Sequence, residues 1–252
     1  MPSPFDLTGK VAVVTGAGRG IGQGITIALA EAGADVFGVQ RSDMSETAAA
    51  VEAAGRRFVA HRADMAERDA VAGILEAALG AFGRIDVLVN NAGIIRRADA
   101  IDMTTQEWED ALDVNLTAAF LLCQQAARHW LAANAKGKII NIASLLSFQG
   151  GIRVAGYTAS KSGLLGLTRL LANEWAAKGI NVNAIAPGYI RTANTQALQD
   201  DEKRNAEIVG RIPAGDWGMP SDLGGAAVYL AFAASNYVHG AVVPVDGGWL
   251  AR

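Results

Sequence analysis

One cysteine and three histidines in 252 residues leave little material for two large classes of protein. Cys123 cannot form a disulfide within its own chain, so a disulfide-stapled fold is excluded. Together with His61, His129 and His239 it makes too sparse a ligand set to predict a metal site. Basic residues are not in excess either, with 22 Lys and Arg against 25 Asp and Glu and a net charge of −3. That balance gives no electrostatic drive toward nucleic acid or an anionic membrane surface, and neither partner is expected. No apolar run approaches the roughly 18 residues that would suggest a membrane span. The opening residues Met1-Pro2-Ser3-Pro4-Phe5-Asp6 lack the basic and apolar regions of an export leader, which points to the cytoplasm.

What the chain does have is apolar mass. Hydrophobic residues make up 51% and charged residues 19%, enough to build one sizeable α/β domain. No repeat and no Pro/Gly/Ser-rich linker divides it. Short runs rich in Val and Ile recur at Val11–Thr15, Asp35–Val39, Phe58–His61, Val87–Asn90, Ile139–Ile142, Val182–Ile185 and Val242–Val245. They are nearly continuous rather than alternating, as in strands buried on both faces. Helical spacing fills the gaps at Ile21–Ala32, Ser45–Ala54, Glu67–Phe82, Thr105–Ala132 and Tyr157–Ala177. The alternation predicts an α/β fold, a doubly wound parallel sheet of about seven strands with helices on both faces. In such sheets ligands bind beyond the carboxyl ends of the strands, so those ends are where chemistry is sought.

The first strand runs directly into Gly16-Ala17-Gly18-Arg19-Gly20-Ile21-Gly22, and a helix follows. Gly16, Gly20 and Gly22 permit a tight turn and close approach of backbone to a pyrophosphate, whose charge meets the positive helix end. Glycines alone serve many turns, but strand, glycine loop and helix in this order indicate a dinucleotide site.

The Gly-x-x-x-Gly-x-Gly spacing is followed, in order, by Asn90-Asn91-Ala92-Gly93, Asn115, Ser144, Tyr157-Thr158-Ala159-Ser160-Lys161 and Pro187-Gly188. On these motifs the chain resembles the short-chain dehydrogenase/reductase family over essentially its whole length. It is most similar to the family's sugar-acid dehydrogenases through Ser147–Arg153, Ile212–Gly215 and the tail Asp246–Arg252. The resemblance implies a single-domain Rossmann-type fold over residues 1–252, with a substrate lid at 192–220. It implies a homotetramer as well, with the apolar end at Trp249–Ala251 near a subunit boundary.

Hydride transfer between a nicotinamide and a secondary alcohol needs a base for the hydroxyl proton. Tyrosine, with a pKa near 10, is a poor one unless a nearby ammonium favours the phenolate. Tyr157 and Lys161 stand four positions apart on a predicted helix, hence on one face. Ser144 can donate to the substrate oxygen as charge develops there. The resemblance gives Tyr157, Lys161 and Ser144 these roles, has Lys161 also bond the nicotinamide ribose, and gives Asn115 a water of the proton relay. It further implies cofactor contacts at Ile21, Met65, Asn91, Ala92, Gly93, Pro187, Gly188, Ile190 and Thr192, with Asp64 reading the adenine amino group. The three histidines are expected at the surface or at helix ends, and Cys123 as a small buried hydrophobe.

An NAD enzyme carries a carboxylate near the end of the second strand, where this chain has Gln40-Arg41-Ser42. Nothing there repels a 2′-phosphate, and Arg41, with Arg19 in the glycine loop, can pair with one. NADP is therefore favoured over NAD, although the sugar-acid dehydrogenases of the family pull toward NAD. A sugar acid needs local positive charge, for which Arg153, between Ser144 and Tyr157, and Arg96 and Arg97 are candidates. Gln149 is a candidate for hydroxyl contacts and Trp217 for a wall of the cleft. The resulting expectation is an NAD(P)-dependent oxidoreductase of a small-molecule sugar acid in uronate or gluconate breakdown. Reduction of another carbonyl, such as a 3-oxoacyl thioester, and a non-catalytic nucleotide sensor are the competing readings.

Overall fold

The computed structural model describes residues 5–252; residues 1–4, on which part of the leader argument rests, lie outside the described residues. Seven strands form one parallel sheet: β1 (Val11–Thr15), β2 (Asp35–Gln40), β3 (Phe58–Arg62), β4 (Val87–Asn90), β5 (Gly137–Ile142), β6 (Ile180–Pro187) and β7 (Val242–Val245). Their spatial order is β3-β2-β1-β4-β5-β6-β7. Chain order reverses between β1 and β4, which opens a crevice at the carboxyl ends of those strands.

Side chains alternate across the sheet and divide the core in two. Val13, Leu88, Ile139 and Val182 pack on one face against Val71, Ile74 and Leu75 of α3 (Arg68–Phe82) and Leu122 of α5 (Ala118–Ala132). Ala12, Val14, Val89, Ile140 and Ile185 pack on the other face against Ile25 and Leu29 of α1 (Gly20–Glu31) and Leu230 of α9 (Gly224–Ala231). The central strands are buried throughout, as their unbroken apolar runs predict. The edges differ: β3 and β7 are only partly buried, because each has a neighbouring strand on one side alone.

Two helical patterns needed correction. The stretch Thr105–Ala132 is not one helix but α4 (Thr105–Leu112), a π turn over Asp113–Thr117, and α5. In the π turn the Ala118 amide reaches back to the Asp113 carbonyl, which inserts a residue around Asn115. A period of 3.6 cannot register a single extra residue, so the sequence pattern passes through it. The long helix that carries the tyrosine, α6, runs Ala155–Trp175 and starts two residues before Tyr157.

Beyond β6 the chain leaves the sheet in a segment closed at its base. The Arg191 amide donates to the Gly218 carbonyl at 2.8 Å, and the Gly218 amide donates to the Tyr189 carbonyl at 2.9 Å. An Arg191–Asp216 ion pair at 2.6 Å spans the same neck. Between these points lie α7 (Gln196–Asp200) and α8 (Glu202–Arg211), with Ile208, Ile212 and Trp217 forming a small core with Leu145 and Trp249. Among the described residues no helix is long and apolar enough to cross a membrane.

Candidate active site

The glycine loop is shaped by contacts that exclude side chains. Gly16 and Gly20 have φ of +69° and +55°, which favour glycine, and a Cβ on Gly22 would lie 2.0 Å from the Gly16 carbonyl oxygen. The Asn91-Ala92-Gly93 turn locks onto this loop through Thr15, whose hydroxyl accepts from the Asn91 and Ala92 amides, each at 3.0 Å. Asn91 returns the contact, its Nδ2 donating to the carbonyls of Thr15 at 2.9 Å and Gly16 at 3.2 Å. The tips of β1 and β4 therefore form one rigid floor. It suits a dinucleotide: backbone lies bare at the start of α1, and a Cβ on Gly20 would stand 3.3 Å from Thr192.

Ser144, Tyr157 and Lys161 converge at the carboxyl end of β5. Lys161 is almost wholly buried, and its Nζ donates to the Ile142 carbonyl at 2.6 Å. The same Nζ stands 5.8 Å from the centroid of the Tyr157 ring. Burial, with no carboxylate beside it, pulls the lysine down to about 8. Tyr157 is pushed upward by the loss of water around its phenol, while the Ser144 hydroxyl and the Arg97 guanidinium act in the opposite direction. Ser144 begins a short 3-10 turn, and its Oγ accepts from the Leu146 amide at 3.1 Å, so the hydroxyl hydrogen remains available. Ser147 braces the arrangement by donating to the Lys161 carbonyl at 2.7 Å.

Asn115 joins this group by a route the sequence did not disclose. Its Oδ1 accepts from the Ile94 amide at 2.8 Å, and its Nδ2 donates to the Ile94 carbonyl and to Ser160 Oγ, each at 3.0 Å. Ser160 in turn donates to the Tyr157 carbonyl at 2.8 Å. The carboxamide is thus a clamp between the turn after β4 and the first turns of α6. Ser160, Thr15 and Ser147 were not singled out in advance, because a hydroxyl in a helix or strand carries no signal of which neighbour it meets.

The arginines sort by their partners. Arg96 binds Asp110 through Nε at 3.2 Å and Nη2 at 2.9 Å, so its fork is already filled. Arg153 pairs with Asp99 at 3.1 Å, and its carbonyl accepts from the Ala98 amide at 3.2 Å. It sits at φ +63°, in the left-handed region, and so acts as a corner of its loop. Of the three, Arg97 has no acidic partner among the described residues: its Nη2 donates to the Asn194 carbonyl at 3.1 Å. Arg96 and Arg153 are both expected at the substrate; Asp110 fills the Arg96 fork, whereas Arg153 makes a single contact with Asp99 and remains largely exposed. Trp217 is a core residue of the segment between β6 and β7, 4% exposed, with its Nε1 donating to Asn205 at 2.7 Å. Gln149 holds the Trp249 indole through its Oε1 at 3.1 Å. Trp249 is itself 5% exposed, buried within its own chain.

At the far end of the crevice Gln40 replaces the acidic residue and ties β2 to the glycine loop. Its Oε1 accepts from the Gly18 amide at 2.8 Å, and its Nε2 donates to Ser42 Oγ at 2.6 Å. Arg41 reaches Asp64 at 3.1 Å, with 70% of its side chain exposed. The Ala66 amide holds Asp64 below the usual carboxylate range against partial burial, with Arg41 adding to the effect. Arg19 is exposed and without an ion-pair partner among the described residues. Met65 and Ile190 are buried in the cores on opposite faces of the sheet, Pro187 is buried at the end of β6, and Ile21, Gly188 and Thr192 are partly buried. Cys123 is buried, and burial pushes its thiol up to about 12. His61 lies on β3 stacked at 5.3 Å on Phe37, neither at a helix end nor fully exposed. His239 is half-buried beside Asn181, with its Nδ1 unpartnered.

Known proteins give this geometry its context. Residues 16–250 match the family described as Enoyl-(Acyl carrier protein) reductase. A 2-dehydro-3-deoxy-D-gluconate 5-dehydrogenase of Escherichia coli (strain K12) is 56% identical over 250 residues, covering 99% of each chain. Among solved structures, an Agrobacterium tumefaciens protein provisionally named 2-deoxy-d-gluconate 3-dehydrogenase, with bound NADP, superposes with a TM-score of 0.94. It is 54% identical and covers 99% of this chain and 100% of its own. A gluconate 5-dehydrogenase of Burkholderia cenocepacia in complex with NADP and tartrate gives 0.93 at 38% identity, covering 99% of this chain and 98% of its own.

The buried ammonium has a measurable cost. The drop from 10.5 to about 8 at Lys161 corresponds to at most about 3 kcal/mol of destabilisation while the lysine is charged. Lys161→Met should therefore make the cofactor-free protein more stable at pH 7, by about 1–2 kcal/mol once the bond to Ile142 is subtracted. The folded pKa is the depressed one, so the unfolded chain binds more protons between about 8 and 10.5, and wild-type stability rises with pH across that window. Lys138, also drawn down to about 8 by burial and by Lys136, adds the same slope to both proteins and cancels. Urea unfolding at pH 7 and pH 10 should show the advantage of Lys161→Met shrinking. An advantage that is absent at pH 7, or that does not change with pH, contradicts the buried charge.

Proposed function

The chain belongs to the short-chain dehydrogenase/reductase family, and from that premise we propose that it oxidises and reduces a secondary alcohol and ketone of a sugar acid, most closely as a 2-dehydro-3-deoxy-D-gluconate 5-dehydrogenase. The observation that carries the reading is the convergence of Ser144, Tyr157 and buried Lys161 beside a cation, Arg97, that no carboxylate among the described residues neutralises. The reactions in the names of the 2-dehydro-3-deoxy-D-gluconate and gluconate relatives supply the substrate class.

In this reading Tyr157 takes the proton of the substrate hydroxyl when the alcohol is oxidised and returns it in the reverse direction. Ser144 donates to the same oxygen, which is most valuable when that oxygen carries developing charge. Lys161 lowers the cost of a phenolate by standing beside it, countering the upward push of burial. Asn115 and Ser160 hold α6 and the Ile94 turn in register, so Tyr157 keeps its angle. Any relay water belongs to main-chain groups that the π turn frees, because the Asn115 carboxamide is already committed. A nicotinamide dinucleotide, when bound, supplies the acceptor or donor of the hydride. The residues around the glycine loop, Asn91–Gly93, Pro187–Gly188 and Thr192 would hold it, and Lys161 would donate to its ribose.

NADP is the preferred dinucleotide in this proposal. Arg41 and Ser42 lie exposed at the tip of β2, Gln40 brings no charge, and Arg19 stands free nearby. The relatives bound to NADP accord with it. Substrate carboxylate is anchored by Arg97, Gln149 serves a hydroxyl, and Arg96 and Arg153 shape the loops on either side. The segment 192–220 acts as a lid, and the whole chain works as one domain. We further propose a cytoplasmic homotetramer, for which Phe120 and Leu170, 37% and 50% exposed beside Leu116 and Leu167, offer an apolar face between α5 and α6.

Three measurements test the proposal. Against a panel of sugar acids, with a 3-oxoacyl thioester as control, Tyr157→Phe should lower kcat at least about 100-fold with NADP(H) affinity little changed. Near-normal turnover in the folded variant ends the assigned mechanism. Arg41→Ala should weaken NADP(H) relative to NAD(H) by about 1.5 kcal/mol, at the lower end for a charge-assisted bond because Asp64 already shares the arginine. Equal losses for the two dinucleotides would return Arg41 to an ordinary loop residue. Arg97→Ala should raise KM for the acid about 10-fold, with a smaller effect on kcat and none on an analogue whose carboxylate is reduced to an alcohol. If Arg153→Ala has the larger, carboxylate-dependent effect, the anchor is Arg153.

A further inference from the structure

The C-terminal tail is built as a corner rather than left to trail. Both oxygens of Asp246 are used, Oδ1 accepting from the Gly248 amide and Oδ2 from the Leu250 amide, each at 2.9 Å. Gly247 and Gly248 both have positive φ, +61° and +88°, so the chain turns back on itself over Pro213. The Ala214 amide donates to the Gly247 carbonyl at 2.9 Å. The tail is fixed in turn to the end of β6, where a Cβ on Gly188 would lie 2.5 Å from the Asp246 Cα. Everything in this corner serves to place one side chain, Trp249.

The indole is held on three sides. Tyr189 packs at 4.7 Å between ring centroids, and the Arg211 guanidinium of α8 lies 4.1 Å from the ring centroid. On the third side Nε1 donates to Gln149 Oε1 at 3.1 Å. An indole N–H is a donor only, so the carboxamide of Gln149 must turn its oxygen to the ring. Its amide hydrogens then have no protein acceptor among the described residues. Gln149 sits on the loop that begins at Ser144 and leads to Tyr157, on the substrate side of the cleft.

We propose that Trp249 is a positioning residue for substrate selection: it locks the Gln149 carboxamide so that two N–H donors face a hydroxyl or carbonyl oxygen of a polyhydroxy acid. A freely rotating glutamine offers donor and acceptor alike and discriminates poorly, whereas a locked one presents donors only. Because Arg211 on the lid segment stacks on the same ring, the lock also couples lid position to substrate recognition. The proposal rests on the reading of Gln149 as a substrate contact.

Steady-state kinetics on the best sugar acid of the panel, with Trp249→Phe, Gln149→Ala and the double variant, separates the two. Gln149→Ala should raise KM about 10-fold with kcat within about twofold. Trp249→Phe, which keeps an aromatic ring but loses the N–H with the five-membered ring, should raise KM about 3- to 10-fold, and the double variant should be no worse than Gln149→Ala alone. Gln149→Glu still accepts from the indole but offers no donor, so it should lose KM as Gln149→Ala does while melting like wild type. A wild-type KM in this variant overturns the donor reading even if Trp249→Phe does not fold. Wild-type KM in Gln149→Glu, or a Trp249→Phe effect that persists at full size without Gln149, overturns the lock. A normal KM in Gln149→Ala overturns Gln149 as a substrate contact, and with it the lock. If the wild-type protein turns over no sugar acid at all, the broader proposal fails first.

Discussion

An ammonium held inside the protein beside a phenol is the constraint around which the rest of this molecule is arranged. Lys161 reaches its place because α6 crosses β5 closely enough for Nζ to meet the Ile142 carbonyl at 2.6 Å. A single carbonyl offsets part of the desolvation and leaves the lysine with a lowered pKa of about 8. A carboxylate in that position would stabilise the fold further and hold the proton more firmly. It would also neutralise the field that Tyr157 needs. The protein accepts a less stable core at this point, as sites built for chemistry commonly do.

Such a strained arrangement requires stiff surroundings, and the polar contacts supply them. Asn115 bridges Ile94 and Ser160, Ser160 bridges to Tyr157, and Ser147 holds the Lys161 carbonyl. Thr15 gathers the amides of Asn91 and Ala92 on the other side of the crevice. Each is a neutral hydrogen bond worth about 1 kcal/mol net. Their value lies in direction: four segments of chain from β1, β4, β5 and α6 cannot shift independently.

How much of this was legible in the sequence follows from the kind of signal each feature leaves. The sheet was, because buried parallel strands write continuous apolar runs and the glycine loop sits in one place on such a sheet. Tyr157 and Lys161 were, because four positions on a helix make one face. The π turn at Asp113–Thr117 was not, since one inserted residue hardly disturbs a helical pattern. The half-exposed edge strands β3 and β7 still carry the apolar residues of their buried side, and so resembled interior ones.

The arginines show where sequence reasoning reaches its physical limit. Arg96, Arg97 and Arg153 are equivalent as letters near the right motif, and a field of three positive charges is the natural expectation. Whether a cation is available to a ligand depends on which carboxylate of the protein meets it first. Asp110 and Asp99 are 14 and 54 positions away from Arg96 and Arg153 and are brought in only by folding. Exposed ion pairs of this kind contribute little to stability, so their consequence here is selection among cations rather than strength. Among the described residues Arg97 is the one of the three that meets no carboxylate, and its Nη2 is tied to the Asn194 carbonyl. If, as proposed, a substrate carboxylate binds Arg97, it competes for that guanidinium with a neutral carbonyl rather than with a charge, and a fork prefers the charge. Taking the carboxylate would free Asn194 from its hold, so binding of the acid and movement of the segment above it draw on the same side chain.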